Sequence, residues 1–274
     1  MCLHHFARCA AADHIHTNFR GLYSHLRSKG YFVDVLSRDL TCFNAQLYSS
    51  LLLVDTEEDF SALEVEKLEK DVLEGLSVLV FADWHDPEYS ANHLRFRDDN
   101  TRRWWSPAVG GANIPSINEL LRPFGIAFGA GRLSGTFSLD ARNADFSDGT
   151  YLTRFPMTGR VVYASLREPP GTAGTTVPST GKDRVDSNGD DASAGASAAG
   201  GATANEADGD REFPVFGMVG VAGASSFLAA FGDSGCIDDG QLQHASDCFF
   251  LVDRICASAV VVVYTVERAC LHAC

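Results

Sequence analysis

The spacing of apolar residues predicts two amphipathic helices in the first third of the chain. In NFRGLYSHLRSKG apolar residues recur at steps of three and four, and Gly30 follows as a C-terminal stop. The same spacing in SALEVEKLEKDVLEG gives a second helix one apolar stripe, with Ser61 as its expected N-cap. The stripes comprise Phe19, Leu22, Tyr23 and Leu26 in the first helix, and Val65, Leu68, Val72 and Leu76 in the second.

Three short apolar runs without alternation, YFVDVL, SLLLVD and SVLVFAD, lie around the second helix. Such runs are typical of strands that a parallel sheet buries on both faces. A strand, a helix and a strand in this order form a right-handed crossover unit. The first part of the chain is therefore predicted to be an open, mainly parallel α/β sheet with flanking helices.

Beyond a short helix predicted at 114–121, apolar and polar residues alternate. GRLSGTFSLD, TYLTRFP and RVVYASL have the period of two that antiparallel strands show, with turn residues between them. FPVFGMVGV and SFLAAFGD predict two more strands, and DCFFLVDRICA predicts a closing helix. The predicted fold class is α/β with an antiparallel β extension. The residues expected to face inward from the closing helix are Phe249, Leu251, Val252 and Ile255.

Residues 169–211 contain no aromatic residue, and two valines are their only large aliphatic residues. This composition buries too little apolar surface to offset the entropy of ordering, so a disordered insertion is predicted. The pieces at 13–168 and 212–256 are expected to form one domain, because two strands and a helix alone would make a thin core.

The charge balance argues against two classes of partner. The net charge is -14, with 36 acidic and 22 basic residues, which repels nucleic acid and anionic lipid surfaces. The N-terminus has no apolar stretch of signal-peptide length, and the longest apolar run, ASAVVVVY at 257–264, is far shorter than the roughly 20 residues of a membrane span. We therefore expect no nucleic-acid partner, no targeting segment and no direct membrane insertion by this chain.

Acidic residues and a histidine follow two of the predicted parallel strands. Open α/β sheets bind ligands at the carboxyl ends of their strands. The alternative is that these residues are solvated loop positions and helix caps. The positions concerned are Asp55, Glu57, Glu58, Asp83 and His85.

The Gly-Asp-Ser motif in FGDSGCIDD suggests Ser234 as a hydrolase nucleophile. Hydrolases known for this motif place it after their first strand and carry an Asp-x-x-His near the end. Here the motif comes late in the chain, and no Asp-x-x-His follows it. The alternative is a tight turn held by Asp233 and Ser234.

Metal and cofactor chemistry has little support in the sequence. His14 and His16 can offer two metal ligands, but no third partner has useful spacing, and both can cap the first helix. Asp238 and Asp239 lack the alternating oxygen ligands of a calcium loop. No Walker loop, Gly-x-Ser-x-Gly elbow or His-Glu-x-x-His helix is present. We therefore predict no metal, no cofactor and no catalytic residue.

The eight cysteines include five in the last 39 residues, and no pair has the C-x-x-C spacing of zinc ribbons and redox motifs. Cys236 and Cys248 can close a disulfide if the chain enters the secretory pathway. Two free thiols are the alternative, and the residues alone leave both open.

Several long segments resemble the site-1 protease family of subtilisin-like serine proteases, in family order. They are HIHTNFRGLYSHLRSKGYFVDVL, LLLVDTEEDF, GLSVLVFADW, RFRDDNTRRWWSPAVGGANIPSINELL, and FGDSGCIDD followed by DCFFLVD. The resemblance covers about 13–168 and 213–255, and leaves 1–12 and 257–274 as tails outside the family pattern. It concerns the region downstream of the protease domain, so no residue here takes the role of the catalytic Asp, His or Ser.

The resemblance implies a non-catalytic region of a membrane-bound endopeptidase of the endoplasmic reticulum and Golgi that cleaves membrane-tethered transcription factors. Its implied partners are the upstream catalytic domain and the protein substrates of the parent protease. An oxidising lumen favours the Cys236–Cys248 disulfide. A stand-alone interaction module without protease activity is the alternative function.

Two adjacent tryptophans precede a Gly-Gly-Ala-Asn-Ile-Pro turn. We predict that Trp104 and Trp105 form an anchor for docking on the catalytic domain or on substrate, with Asn113 as a further docking candidate. Gly110 and Gly111 would let the chain turn sharply before Pro115 begins a helix. The alternative is that both tryptophan rings lie in the domain's own core.

Overall fold

The computed structural model describes residues 18–36, 38–105, 111–168, 211–239, 248–255 and 260–264. The strands are β1 Phe32–Val35, β2 Ser50–Val54, β3 Ser77–Phe81, β4 Phe96–Arg97, β5 Trp104–Trp105, β6 Ala127–Phe128, β7 Leu133–Leu139, β8 Arg142–Gly149, β9 Leu152–Arg154, β10 Arg160–Arg167, β11 Arg211–Gly220, β12 Phe227–Phe231 and β13 Val260–Tyr264. The α-helices are α1 Arg20–Ser28, α2 Ala62–Leu73, α3 Pro87–His93, α4 Ile114–Leu121 and α5 Phe249–Ile255.

One mixed sheet carries the fold, with the strand order β1-β13-β2-β3-β12-β11-β10-β7-β8. The pairings from β1 to β12 are parallel, and those from β12 to β8 are antiparallel. The predicted α/β fold with an antiparallel extension is confirmed. The extension is as large as the parallel half, with four pairings in each.

Helices cover both faces of the parallel half of the sheet. Its central strands therefore have no side facing solvent, and their sequences are continuous apolar runs. Every residue of β2 and β3 is buried. Leu52 and Val54 of β2 face a core that includes residues of α1 and α5, whereas Leu51 and Leu53 face a core that includes residues of α2 and α4. Burying each such side chain stabilises the fold by roughly 1.5–3 kcal/mol.

The predicted helices are present, and local signals set several of their ends. Ser61 and Glu64 form a capping box at the start of α2, with the Glu64 carboxylate accepting the Ser61 backbone N–H at 2.9 Å. Gly30 follows α1 with a φ of 87°, as its predicted role as a stop requires. Phe249, Leu251 and Val252 of α5 are buried, as predicted.

Two strands of the extension differ from the sequence expectation. TYLTRFP forms β9, which pairs with β6 in a separate two-stranded sheet instead of joining the main sheet. β8 was not predicted because RNADFSDG is mostly polar, and in that strand Ala144 and Phe146 are its buried apolar residues.

Two boundaries also differ. Residues 260–264, which the sequence pattern assigned to a tail outside the domain, form β13 and pair in parallel with β1 and β2. Leu166 of β10 pairs directly with Arg211 of β11, so the chain leaves the sheet and returns to it at neighbouring positions. Disorder was predicted for 169–211, but Arg211 is the first residue of β11; the rest of that segment, 169–210, lies outside the described residues, as do His14, His16 and Gly110.

In the described part of the chain, no helix is both long enough and apolar enough to cross a bilayer.

Candidate functional site

Four aspartates lie at one edge of the sheet. Asp55 follows β2, Asp83 follows β3, and Asp233 follows β12, whereas Asp148 is the penultimate residue of β8. We call them the strand-edge carboxylates. Withdrawal from water, and then the charges of Asp55, Asp233 and Asp148, raise the pKa of Asp83 well above its ordinary value. The structure thus joins the two predicted aspartates with two that the strand-end pattern did not single out.

Asp233 is the most deeply buried of these carboxylates, with no exposed surface. It accepts hydrogen bonds from the backbone N–H of Ser147 at 2.7 Å and of Gly235 at 2.9 Å. Burial nevertheless raises the pKa of Asp233 to about 7, although these hydrogen bonds act to lower it.

The Gly-Asp-Ser motif is therefore a tight turn that Asp233 holds. Ser234 is 3% exposed, and its backbone N–H donates to the carbonyl oxygen of Ala82 at 2.7 Å. A nucleophile must contact its substrate, and the buried Ser234 side chain cannot do so. The turn interpretation agrees with the structure, and the hydrolase interpretation does not.

Arg132 is a cation that faces this edge. Its Nε donates to both carboxylate oxygens of Asp148, at 2.5 and 2.7 Å. The guanidinium carbon lies 4.5 Å from the ring centroid of Tyr89 and 5.6 Å from that of Trp84. Burial raises the pKa of Asp148, and the bond from Arg132 opposes that rise. The sequence offers only a weak signal for this pair, which is the glycine next to each residue, Gly131 and Gly149.

The Gly-Ala-Asn part of the Gly-Gly-Ala-Asn-Ile-Pro turn ties together the loops that follow β2 and β3. Gly111 has a φ of 99°, and a Cβ at this position would overlap the carbonyl oxygen of Trp84. The Ala112 N–H donates to that oxygen at 3.0 Å, and the Ala112 carbonyl oxygen lies 3.0 Å from His85 Nδ1. Because a carbonyl oxygen accepts only, His85 Nδ1 carries the hydrogen. The predicted requirement for glycine at this turn holds at Gly111.

Asn113 completes this connection from inside the domain. Its Nδ2 donates to the carbonyl oxygens of Glu57 and Glu58 at 3.2 and 3.3 Å and to Asp59 Oδ1 at 2.9 Å. Its Oδ1 accepts the Ser116 N–H and caps α4. Asn113 is 7% exposed, so the prediction that it is a docking residue disagrees with its burial. Its side chain holds the loop after β2 instead.

The strand edge has the character of a proton-binding structural cluster. In the described ranges, no group of three or more His, Cys, Asp or Glu side chains is placed to hold a metal ion. What the strand-edge carboxylates can do is bind protons as the pH falls, since the pKa values of Asp83, Asp148 and Asp233 are raised.

A second feature, the two-stranded ribbon of β4 and β5, stands exposed at the surface. Phe96 pairs with Trp105, and Arg97 pairs with Trp104. Residues directly opposite in an antiparallel pair share a face, so the two tryptophans lie on opposite faces. Trp104 is 64% exposed, Trp105 is 51% and Phe96 is 60%. The alternative in which both tryptophan rings lie in the core is therefore wrong.

A disulfide joins Cys236 to Cys248, with 5.6 Å between their Cα atoms, and connects the turn after β12 to the start of α5. Nearby, both carboxylate oxygens of Asp239 accept the Gly21 N–H at 2.9 Å. Asp239 therefore caps α1, whose own N-cap residue, Phe19, makes no side-chain capping bond. The Asp238 carboxylate accepts from Asn18 Nδ2 at 3.2 Å.

Comparisons with known proteins place the chain among domains of a protease. A family model described as MBTPS1, fourth GATase-like domain, matches residues 10–265. The chain is 37% identical over 244 residues to membrane-bound transcription factor site-1 protease from Homo sapiens and 36% identical to that from Rattus norvegicus. Each match covers 89% of this chain and 20% of the relative. The chain thus spans about a fifth of the length of these relatives.

Two further similarities extend this result. The chain is 49% identical over 148 residues to subtilisin-like protease SBT6.1 from Arabidopsis thaliana, which covers 54% of this chain and 14% of that protein. The solved structure of the mmIFT52 N-terminal domain superposes with a TM-score of 0.52 at 14% identity, covering 88% of this chain and 90% of that one, and so shares the fold. Because the family model matches nearly the whole length of this chain, the chain belongs to the family of the fourth, GATase-like domain of MBTPS1.

Proposed function

We propose that this chain serves as a non-catalytic domain of a site-1-protease-like serine endopeptidase and acts by binding the rest of that protein. Two findings support the proposal. The site-1 protease relatives are about five times as long as the matching region. In addition, the matching family model is that of a GATase-like domain, and Ser234, which the sequence suggested as a nucleophile, is buried.

The exposed β4–β5 ribbon carries the docking part of the proposal. A two-stranded ribbon is at best marginally stable in water by itself, and three large aromatic side chains on one ribbon are a costly surface to leave in solvent. Aromatic residues are the usual anchors of protein interfaces, because they bury much area with few rotatable bonds. Trp104, Trp105 and Phe96 therefore form the contact with the catalytic domain.

The same proposal gives the parent protein a compartment and a substrate class. The relatives are named as proteases of membrane-bound transcription factors. We place the parent protein of this chain in the lumen of the endoplasmic reticulum and Golgi, where its catalytic domain cleaves such precursors. The Cys236–Cys248 disulfide supports an oxidising compartment, since disulfides are rare in the cytosol.

The test is a double substitution, Trp104→Ala with Trp105→Ala, in the full-length protease that contains this domain. We expect a loss of secreted protein or of protease activity of at least about tenfold, the effect of removing one strong interface anchor. The control is Leu63→Ala with Leu73→Ala, which removes two exposed apolar side chains from α2. Unchanged activity and secretion in the tryptophan variant would contradict the docking proposal.

A further inference from the structure

We infer that the β4–β5 ribbon binds an acidic surface of its partner protein, so that arginines of the ribbon meet partner carboxylates. This inference rests on the proposed docking function and adds the chemistry of the partner. Residues 94–105 contain four arginines and two aspartates, in a chain whose net charge is -14. The ribbon is thus a local cationic feature on an acidic protein. The arginines are Arg95, Arg97, Arg102 and Arg103.

The ribbon presents one mixed cationic and aromatic face. Arg97 lies opposite Trp104 and shares its face. The guanidinium carbon of Arg95 lies 5.3 Å from the Trp104 ring centroid, which places Arg95 on the same face. Such stacking fixes the plane of a guanidinium while leaving its N–H groups available for a carboxylate. The opposite face presents Phe96 and Trp105, so the two faces differ in character.

Among the residues that the structure describes, these arginines have no carboxylate partner. Across the described residues, none of the four forms a salt bridge, and all four are exposed. Arg97 Nε makes a hydrogen bond of 3.4 Å to the carbonyl oxygen of Arg102, a contact that leaves its charge uncompensated. Arginine is the residue best suited to bidentate binding of carboxylates at interfaces.

The turn of the ribbon argues against a lipid surface as the partner. Its end carries Asp98 and Asp99, with the Asp98 carboxylate accepting N–H groups of Asn100 and Thr101 at 3.1 and 3.2 Å. Entry into a bilayer by this end would bring two carboxylates to the headgroups first, where anionic lipids repel them. Aromatic rings on both faces also suit a groove that encloses the ribbon better than a flat membrane.

Zero-length cross-linking tests the inference in the full-length protease that contains this domain. Arg95→Lys with Arg97→Lys keeps the positive charge and supplies amines that a carbodiimide couples only to carboxylates in contact. We expect coupling from positions 95 and 97 to Asp or Glu residues of the parent polypeptide outside this domain, located by mass spectrometry. Arg160→Lys with Arg211→Lys, at exposed positions on β10 and β11, is the matched control and should yield no such links.

The other outcomes are distinguishable. Absence of links from positions 95 and 97, or links at the control positions alone, would overturn the acidic-partner inference. Links to a second copy of this chain would overturn it in favour of self-association. Sedimentation with phosphatidylserine-containing vesicles that is lost on Arg95→Gln with Arg97→Gln would overturn it in favour of lipid. If the tryptophan double variant loses function while no links form, the docking proposal is supported and the inference of an acidic partner surface is wrong.

Discussion

The carboxylate of Asp233 accepts the backbone N–H of Ser147 at 2.7 Å and thereby joins the end of β12 to β8, 86 positions earlier in the chain. The same carboxylate is fully buried beside other aspartates. The Asp233 side chain therefore holds β8 to the end of β12, and it also gives this edge of the sheet a group that binds a proton as the pH falls.

The raised carboxylate pKa values predict that the domain is more stable in mild acid than in mild base. The folded chain retains the Asp233 proton up to a pKa of about 7, whereas the unfolded chain releases it near 3.8. This contribution is thus full below about pH 4 and is lost as the pH rises through about 7. It is on the order of 4 kcal/mol, at about 1.4 kcal/mol for each pKa unit.

Thermal unfolding between about pH 5 and about pH 8 measures this effect. We expect Tm to fall toward pH 8 in the wild type and to change less in Asp233→Asn. In mild acid that variant also loses some stability, since its amide nitrogen cannot accept an N–H that a carboxyl oxygen accepted. Parallel curves for the two proteins would show that Asp233 does not govern the pH dependence.

A Gly-to-Ala change in α1 is expected to destabilise the domain, against the usual trend in helices. Alanine normally favours a helix over glycine by about 1 kcal/mol. At Gly21, however, a Cβ would overlap Asp239 Oδ1 and displace the carboxylate that caps the helix. Urea denaturation should show Gly21→Ala losing stability, and Ser24→Ala, at an exposed position of the same helix, gaining slightly or not changing. A stabilised Gly21→Ala protein would contradict the capping role of Asp239.

Removal of residues 169–210 is expected to leave the fold intact. Because Leu166 and Arg211 already pair across β10 and β11, a short turn can join the two strands without moving either. Urea denaturation of the shortened chain should give a free energy of unfolding within about 1 kcal/mol of the original. A chain that no longer unfolds cooperatively would show that the segment contributes to the core.

The chain itself is expected not to react with a fluorophosphonate probe. Ser234 is buried, and its turn is held by backbone hydrogen bonds. The measurement is labelling of the purified chain beside an active serine protease as positive control. Labelling that disappears in Ser234→Ala would instead establish a hydrolase site.

Local signals made much of the parallel half predictable. The runs that form β2 and β3 are buried on both faces, and the Ser61–Glu64 capping box lies within four consecutive residues. Each of these features is determined by neighbours in the sequence, so a reading of spacing and caps finds it.

Features that depend on distant partners were not predictable in the same way. Asp239 caps α1 although it lies 218 positions away from Gly21 in the sequence. Similarly, β13 lies between β1 and β2 in the sheet, although both of those strands come much earlier in the sequence. Asp148 can pair with Arg132 because β8 brings it to the edge of the sheet where the other carboxylates lie. The sequence of β8 is mostly polar, so its pattern does not predict a strand there. Spacing identified Trp104 and Trp105 as unusual, but their exposure follows from the ribbon pairing.

Hydrogen–deuterium exchange of residues 94–105 tests the central claim, that this domain acts by docking through its ribbon. The measurement compares the full-length protease with this chain expressed alone, using protection of β2 and β3 in both to establish that the domain is folded. We predict that the ribbon amides exchange rapidly in the isolated chain and are protected in the full-length protein. Equally rapid exchange in both proteins would contradict the account, because a docked ribbon cannot remain as open to water as a free one.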